Sequence, residues 1–246
     1  MARVIPERYA AAERAVAHVF VAALDPSVTV DGPDGHHLQR VRRLRSGEVV
    51  TAADGAGQWR RYVIAAVDPG RLRLEAETEI AVDPEPSPAV SVAVALTKGT
   101  KIELVVAQLT ELGVTRIEPV RARRSVVRWE GKRAEAAALR LTTVAREAAM
   151  QCRRARIPTV APVGDLSGLA GRGGIVVAAR DGVPADAVPM PPDGLWTVVV
   201  GPEGGFEPGE AEALDPIATI ALSRYVLRAS TAPVVAAALL VSRASP

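Results

Sequence analysis

The first third of the chain alternates short apolar segments with turn residues, which is the pattern of consecutive β-strands. Segments rich in β-branched and apolar residues run over Val49–Ala53, Trp59–Val67 and Leu72–Ile80. Asp54–Gly57 and Asp68–Gly70 separate them with the Asp, Gly and Pro that tight turns use. Several short strands at near-regular spacing predict a small β-barrel or sandwich over residues 1–83.

A proline-rich stretch ends this pattern and predicts a linker over residues 84–89. Residues 83–88 read Asp-Pro-Glu-Pro-Ser-Pro, and three prolines in five residues exclude a continuing helix or strand. Val90–Leu96 then forms a continuous apolar run, as in a buried parallel strand. Lys101–Leu112 carries apolar residues at helical spacing, and Gly113 follows as a helix terminator.

The remainder of the chain alternates strand-like and helix-like segments. The predicted strands are Arg116–Val120, Ile175–Ala179, Trp196–Val200 and Ala218–Leu222, and the predicted helices are Lys132–Cys152 and Pro233–Arg243. This alternation indicates an α/β domain over residues 90–246 with a mainly parallel sheet.

Composition predicts a folded protein without a membrane anchor. Hydrophobic residues make up 48% and charged residues 24%, which excludes an intrinsically disordered chain. Nearly apolar runs such as Ala232–Ser242 fall short of the ~20 residues that span a bilayer, and residues 1–12 lack the apolar core of a secretory signal. Cys152 is the only cysteine, so neither an internal disulfide nor a cysteine metal cluster can form. We expect a cytoplasmic protein that needs no metal.

Positive charge is concentrated in one part of the chain, although the net charge is only +2. Residues 90–160 contain 14 basic and 6 acidic side chains, a net charge of +8. This block favours a nucleic-acid partner, because the arginine guanidinium forms bidentate hydrogen bonds with phosphate and stacks on bases. The alternative is a solvated basic surface in an arginine-rich chain. The candidates for RNA contact are Arg40, Arg42, Arg43, Arg45, Lys98, Arg123, Arg124, Arg153, Arg154 and Arg156.

Two segments near the carboxyl terminus carry chemistry beyond packing, and the first is a glycine-rich loop. The apolar strand Thr197–Val200 ends in Gly201–Phe206, which matches neither the Walker pattern nor Gly-x-Gly-x-x-Gly. Ligands of open α/β sheets bind beyond the carboxyl ends of strands, and glycines let backbone groups approach a ligand closely. The alternative is a tight strand-to-helix turn that merely needs glycine.

The second segment, Ile220–Ala232, leads from a strand end into the final helix. Its arginines, Arg224 and Arg228, and the hydroxyls of Ser230 and Thr231 favour a cationic mouth rich in hydrogen-bond donors. The alternative is that Ser230 or Thr231 only caps the helix, with arginines of no functional role.

Five segments, taken together and in order, are characteristic of one family. Val198–Phe206 is similar to a strand with a Gly-Pro-Glu-Gly-Gly-Phe block, and Leu222–Ala232 is similar to a Leu-Gly-x-x-Ile-Leu-Arg-x-Glu-Thr-Ala block. Lys98–Val114 is similar to a lysine-rich turn with a Glu-Leu-Gly-Val helix, and Ala145–Pro158 to an Ala-x-Glu-Gln-x-x-Arg helix. Val41–Glu48 is similar to a Val-Leu-Arg-x-x-x-Gly signature. These blocks resemble those of the RsmE-type rRNA methyltransferases, which belong to the SPOUT class.

The resemblance implies an α/β fold: a SPOUT methyltransferase domain with a C-terminal trefoil knot, preceded by a small PUA-like RNA-binding β-barrel. Members of the family are homodimers that use S-adenosylmethionine to methylate N3 of a uridine in 16S rRNA of the small ribosomal subunit, uridine 1498 in standard rRNA numbering. No metal is implied, because the sulfonium supplies its own leaving group. The expected partners are therefore 16S rRNA, the small subunit and a second copy of the chain.

The same resemblance implies the site residues. Arg228 would be catalytic and would stabilise negative charge on the uridine carbonyl oxygens. Glu203 would act either as a base or by tying down the loop through backbone amides. Backbone groups of three loops, Ala178–Arg180, Val200–Gly204 and Leu222–Leu227, would hold the adenine of the cofactor. The cofactor-binding residues would be Ala179, Val200, Gly201, Glu203, Gly204, Gly205, Leu222, Arg224, Val226, Leu227 and Thr231.

The sequence departs from the family pattern at Ser223 and Ser230, which replace a glycine and a glutamate, and at Gln151, which is displaced. The lost carboxylate bears on any mechanism that uses it as a base or to orient Arg228. Two alternatives stay open: a non-catalytic rRNA-binding or ribosome-assembly protein with the same fold, and a SPOUT methyltransferase that acts on tRNA or a 2′-hydroxyl. The intact glycines of the loop favour an enzyme over the first, and the N-terminal barrel favours the RsmE type over the second.

Overall fold

A computed structural model describes residues 15–98 and 101–244, and the chain forms two compact units. The first unit contains the chain up to Pro84 together with Ala149–Ile157, and the second contains Glu85–Ala148 and the chain from Pro158 onward. The sequence placed residues 149–157 in the second domain, but they belong to the first unit. The reason is apolar burial, since Ala149 and Ala155 pack against Phe20 and Ala53.

The first unit is built on a mixed six-stranded sheet. Its strands are β1 (Ala17–Phe20), β2 (Ser27–Val30), β3 (Val49–Ala53), β4 (Gln58–Asp68), β5 (Arg71–Ala76) and β6 (Ala81–Val82). Their order is β1-β3-β4-β5-β2, with β6 beside β4. Strands β1 and β3 pair in parallel, and the other observed pairs are antiparallel. A short helix, α1 (Gly32–His36), continues into a π-helical turn at His37–Val41.

Backbone and side-chain hydrogen bonds hold the returning segment, residues 149–157, to the rest of the first unit. His18 is 6% exposed, and its Nε2 donates to the Arg154 carbonyl at 3.1 Å while Nδ1 lies 2.8 Å from Thr51 Oγ1. The Arg156 guanidinium donates from Nε and Nη2 to the Asp83 carbonyl at 3.0 and 2.8 Å, and from Nη1 to the Ala56 carbonyl. Arg156, a sequence candidate for RNA contact, therefore binds backbone within this unit.

The second unit contains a seven-stranded sheet in which every observed pair is parallel. Its strands are β7 (Ala89–Ala95), β8 (Arg116–Arg121), β9 (Thr159–Val160), β10 (Gly164–Asp165), β11 (Ile175–Val183), β12 (Leu195–Val200) and β13 (Ala218–Ile220). Their order is β10-β8-β7-β12-β11-β13, with β9 beside β8. Its helices are α2 (Ile102–Leu112), α4 (Ala232–Val241) and α3 (Gly131–Gln151), whose last three residues belong to the first unit.

Alternate residues of the central strands bury the two faces of this sheet. Val198 and Val200 of β12 pack with Leu109 of α2 and Leu240 of α4, while Val199 packs on the opposite face. Strands that are apolar throughout are therefore buried on both sides, as the sequence pattern predicted.

The parallel direction brings the carboxyl ends of β11, β12 and β13 to one edge of the sheet. Ile220 pairs with both Ala178 and Val183, so residues 179–182 bulge outward between these positions. At Gly182 a Cβ atom would lie 2.4 Å from the Ile220 carbonyl carbon. Only glycine fits this passage of backbone against backbone.

Candidate active site

A cleft opens at the shared carboxyl edge of β11, β12 and β13. Its cavity volume is about 240 Å³, and it opens to solvent. Small organic ligands bind in concave sites of this kind. Its walls come from three segments: the start of the β11 bulge, the loop after β12 and the loop between β13 and α4. The topology therefore converges three loops on one site.

Most of the predicted cofactor residues lie in this cleft. Eight of the eleven line it: Ala179, Val200, Gly201, Glu203, Gly205, Leu222, Val226 and Leu227. Gly204, Arg224 and Thr231 are not part of the lining. Five more lining residues belong to the loops predicted to hold the adenine, namely Ala178, Arg180, Pro202, Ser223 and Tyr225. The sequence reasoning missed Phe206, Ala229 and Ala232, which lie just outside those loops.

The three glycines of the loop after β12, residues 201–206 (the glycine loop), differ in how strictly the local structure requires glycine. At Gly201 a Cβ would lie 3.0 Å from the Phe206 ring, so a larger residue would push the ring aside. Gly205 has a φ of +68°, a conformation that favours glycine. At Gly204, by contrast, a Cβ would have ordinary contact with Arg124, at 3.7 Å. The local structure therefore requires glycine at position 201 for its close contact with Phe206 and at position 205 for its backbone conformation.

Three carboxylates lie on or next to this loop: Glu210 binds backbone, Glu207 pairs with the Arg123 guanidinium at 3.4 Å, and Glu203 does neither. Glu210 Oε1 accepts from the Arg123 N–H at 2.7 Å, and its Oε2 accepts from the Glu207 N–H at 2.9 Å. Glu203 is exposed at the cleft, and within the described residues its carboxylate accepts no hydrogen bond. The loop-tying role considered for Glu203 from the sequence is therefore carried out by Glu210.

The segment between β13 and α4 places exposed side chains at the mouth of the cleft. Tyr225 is 70% exposed, and the Arg224 guanidinium lies 4.9 Å from its ring centroid. Arg228 is exposed between the lining residues Leu227 and Ala229, and in the described part of the chain its side chain has no ion pair or hydrogen bond. Its carbonyl accepts the N–H groups of Thr231 and Ala232, each at 2.9 Å.

The start of α4 tests the alternative that Ser230 or Thr231 only caps this helix. Thr231 is the N-cap residue of this helix, but its side chain makes no capping hydrogen bond. The hydroxyls of this segment are thus not used as the capping interpretation requires.

The candidate RNA-binding residues fall into three groups. Arg40, Arg42, Arg43 and Arg45 are exposed on the first unit, and Lys98, Arg123 and Arg124 are exposed on the second. Arg153, Arg154 and Arg156 are half-buried in the returning segment. Arg42 also donates from Nη2 to the Val16 carbonyl at 2.9 Å.

Within residues 15–98 and 101–244, none of the helices is long and apolar enough to cross a membrane. That same part of the chain contains no group of three or more His, Cys, Asp or Glu side chains able to hold a metal ion.

Comparison with known proteins identifies the class and then the family. The model of the RNA methyltransferase domain matches residues 84–241, and that of the RNA methyltransferase PUA domain matches residues 30–77. The chain is therefore an RNA methyltransferase with a PUA-like RNA-binding domain. More particularly, the chain belongs to the ribosomal RNA small subunit methyltransferase E family, the RsmE type.

Individual relatives cover most of the chain. Ribosomal RNA small subunit methyltransferase E of Mycobacterium bovis is 35% identical over 84% of this chain and 83% of its own length. The Bacillus subtilis protein of the same name is 28% identical over 86% of this chain and 88% of its own. The crystal structure of the Neisseria gonorrhoeae enzyme, bound to S-adenosylmethionine, superposes with a TM-score of 0.78 at 26% identity, covering 90% of this chain and 95% of that one.

Proposed function

We propose that this protein uses S-adenosylmethionine to methylate N3 of a uridine in 16S rRNA, uridine 1498 in standard rRNA numbering. The observation that carries the proposal is the cleft at the carboxyl edge of the sheet, where the glycine loop lies beside the segment containing Arg228. Membership of a family of small-subunit rRNA methyltransferases supplies the class of substrate.

The cleft fits S-adenosylmethionine by its chemistry. Gly201 and Gly205 present backbone groups without side chains, which suits hydrogen bonding to an adenine edge. Val200, Leu222 and Val226 supply apolar walls for the base and sugar. The relative from Neisseria gonorrhoeae was crystallised with this cofactor. When bound, S-adenosylmethionine supplies an electrophilic methyl group and leaves as a neutral thioether.

The aromatic ring at the mouth of the cleft supports a nucleobase as the acceptor. A base taken out of a helical stack needs a new stacking surface, and stacking on an aromatic side chain contributes about 1–3 kcal/mol per base. Tyr225 offers such a surface, because it is exposed and lies beside the Arg224 cation. This arrangement favours methylation of a base over methylation of a ribose hydroxyl.

Arg228 has the position and the chemistry to assist loss of the N3 proton. Uridine N3–H is a weak acid whose anion spreads its charge onto the two neighbouring carbonyl oxygens. A guanidinium beside the cleft stabilises that charge as it develops. Glu203 lines the cleft and does not bind the loop amides, so we assign it as the candidate acceptor of the proton.

The finer features of the fold and assembly follow from the family. We propose that the first unit is a PUA-like β-barrel and that the second contains a trefoil knot formed by its C-terminal segment. The tight passage of Ile220 beside Gly182 supports close threading there. We also propose a homodimer that acts on the small ribosomal subunit in the cytoplasm.

Calorimetry and methyl transfer test the proposal together. We expect the protein to bind S-adenosylmethionine with one site per chain and to transfer its methyl group to small subunits from cells that lack the gene. Binding without transfer would indicate an assembly protein, and a 2′-O-methylated product would indicate a different SPOUT activity. Absence of binding would overturn the cofactor site itself.

A further inference from the structure

The basic loop after β8, residues 122–130, is hydrogen-bonded to residues 201–210, which contain the glycine loop. Each of the two segments contributes a side chain to these bonds. Arg124 Nη1 donates to the Gly204 carbonyl at 2.9 Å. On the other side, Glu210 accepts the backbone N–H groups of Arg123 and Glu207. Arg123 Nη1 also forms an exposed ion pair with Glu207 Oε2 at 3.4 Å. Three contacts therefore hold residues 201–210 against the basic loop.

Arg124 is placed to act on the glycine loop rather than on the core. Its side chain is exposed, and the contact that the structure shows for its guanidinium is the one to the Gly204 carbonyl. Its stem runs along Gly204, where a Cβ would lie 3.7 Å from Arg124 Cδ. Loss of this side chain would release a surface loop and remove little buried apolar area.

A glycine-rich loop needs such restraint to bind a ligand tightly. Glycine has more backbone freedom to lose than any other residue, and a ligand that binds one loop conformation loses affinity in proportion to the population of that conformation. Gly201 and Gly205 line the cleft on either side of Gly204 in the sequence. Holding the Gly204 carbonyl therefore limits the motion of both.

We propose that Arg124 and Glu210 are positioning residues that keep the glycine loop in its cofactor-binding conformation. This inference rests on the proposed function of the cleft. It changes the role expected for Arg124, which the sequence marked as an RNA contact. Its guanidinium acts on the cofactor affinity through the backbone of Gly204.

The test compares Arg124→Ala with Arg128→Ala, because both remove one exposed arginine from the same loop. Arg128 has no hydrogen bond or ion pair within the described residues. For Arg124→Ala we expect the Kd for S-adenosylmethionine to rise about 3- to 10-fold, the range for one lost hydrogen bond. We expect kcat at saturating cofactor and the urea midpoint to stay as in wild type. Arg128→Ala should leave the cofactor Kd unchanged.

Two further variants separate positioning from charge. Arg124→Lys keeps the charge and one donor, so it should recover part of the cofactor affinity. Glu210→Gln keeps one acceptor oxygen and should raise the cofactor Kd in the same direction as Arg124→Ala.

Three other results are possible, and each identifies a different error. If Arg124→Ala raises the KM for RNA and leaves the cofactor Kd unchanged, Arg124 is an RNA contact and the positioning role is wrong. If Arg128→Ala raises the cofactor Kd equally, the effect is one of charge, which also overturns it. If the wild-type protein does not bind S-adenosylmethionine, the proposed function of the cleft fails instead.

Discussion

Among single residues, Arg228 has a side chain that can affect the chemistry without affecting the fold. It is exposed beside the cleft and is not packed in the core. A donor aimed at charge that develops in the transition state typically contributes ~100–1000-fold in rate. We therefore expect Arg228→Ala to lower the single-turnover rate of methylation by about that factor, with little change in cofactor affinity. Arg228→Lys restores the charge but not the planar fork, so it should recover only part of the rate.

The competing role for Arg228 is that of a phosphate clamp for rRNA. A clamp would lower RNA affinity and leave the rate at saturating RNA intact. Rapid-quench measurements at several RNA concentrations distinguish the two, and an unchanged saturated rate for Arg228→Ala would remove the catalytic assignment.

His18 predicts a pH dependence of the stability of the first unit. Burial lowers the pKa of His18 to about 4, and the nearby Arg153 charge acts in the same direction. The hydrogen bond to the Arg154 carbonyl raises the pKa but does not offset burial. The unfolded chain takes up this proton near pH 6.5, so the stabilisation is complete above that pH and is lost as the pH falls towards 4. The expected loss is about 3 kcal/mol.

Urea unfolding at several pH values between 7 and 4 measures this effect. His18→Gln is the matched control, because an amide can donate to Arg154 and accept from Thr51 but does not titrate. The wild-type curve should fall more steeply than that of the variant. Parallel curves would show that His18 does not control the acid stability.

At the scale of elements, the passage of β13 beside the β11 bulge depends on Gly182. A Cβ there would lie 2.4 Å from the Ile220 carbonyl carbon and 2.6 Å from the Ala221 nitrogen, and backbone atoms cannot move aside cheaply. We expect Gly182→Ala to destabilise the fold by about 1–3 kcal/mol, the cost of overpacking. Gly168→Ala is the control, because nothing lies within 4 Å of its Cβ position. Equal urea midpoints for the two variants would contradict this account.

Elements with a long, periodic pattern were predictable from the sequence. Helix α2 begins at Ile102, within one residue of its predicted start, and Gly113 ends it with a φ of +99°. The strands β1 and β2 were missed, because four residues are too few to show a clear alternation of apolar and polar positions. Residues 149–157 were assigned to the wrong unit, since their packing against Phe20 and Ala53 is a long-range contact that local pattern does not encode.

The candidate site was predictable where it consists of contiguous loops. Gly201 and Leu227 line the cleft, and each belongs to a sequence motif that directly follows the carboxyl end of a predicted strand. The contacts of Arg124 with Gly204 and of Glu210 with Arg123 join residues about 80 apart in sequence, and charge alone suggested a nucleic-acid role for the arginine.

For the whole molecule, the basic residues predict that RNA binding depends strongly on salt. If Z phosphates are neutralised, the plot of log affinity against log salt should have a slope near −0.7Z to −0.9Z. Arg40→Ala removes an exposed candidate contact and should reduce the magnitude of the slope by about one. Arg71→Ala removes an exposed arginine outside the candidate set and should leave the slope unchanged. A wild-type slope near zero would contradict a phosphate-binding surface.

Mass mapping of 16S rRNA from cells with and without the gene tests most directly the proposed formation of N3-methyluridine. We predict that one methyl group, located on a uridine base, is absent without the gene, returns with the wild-type gene and returns only weakly with Arg228→Ala. An unchanged methylation map in cells without the gene, or a missing methyl group located on a ribose, would contradict the account.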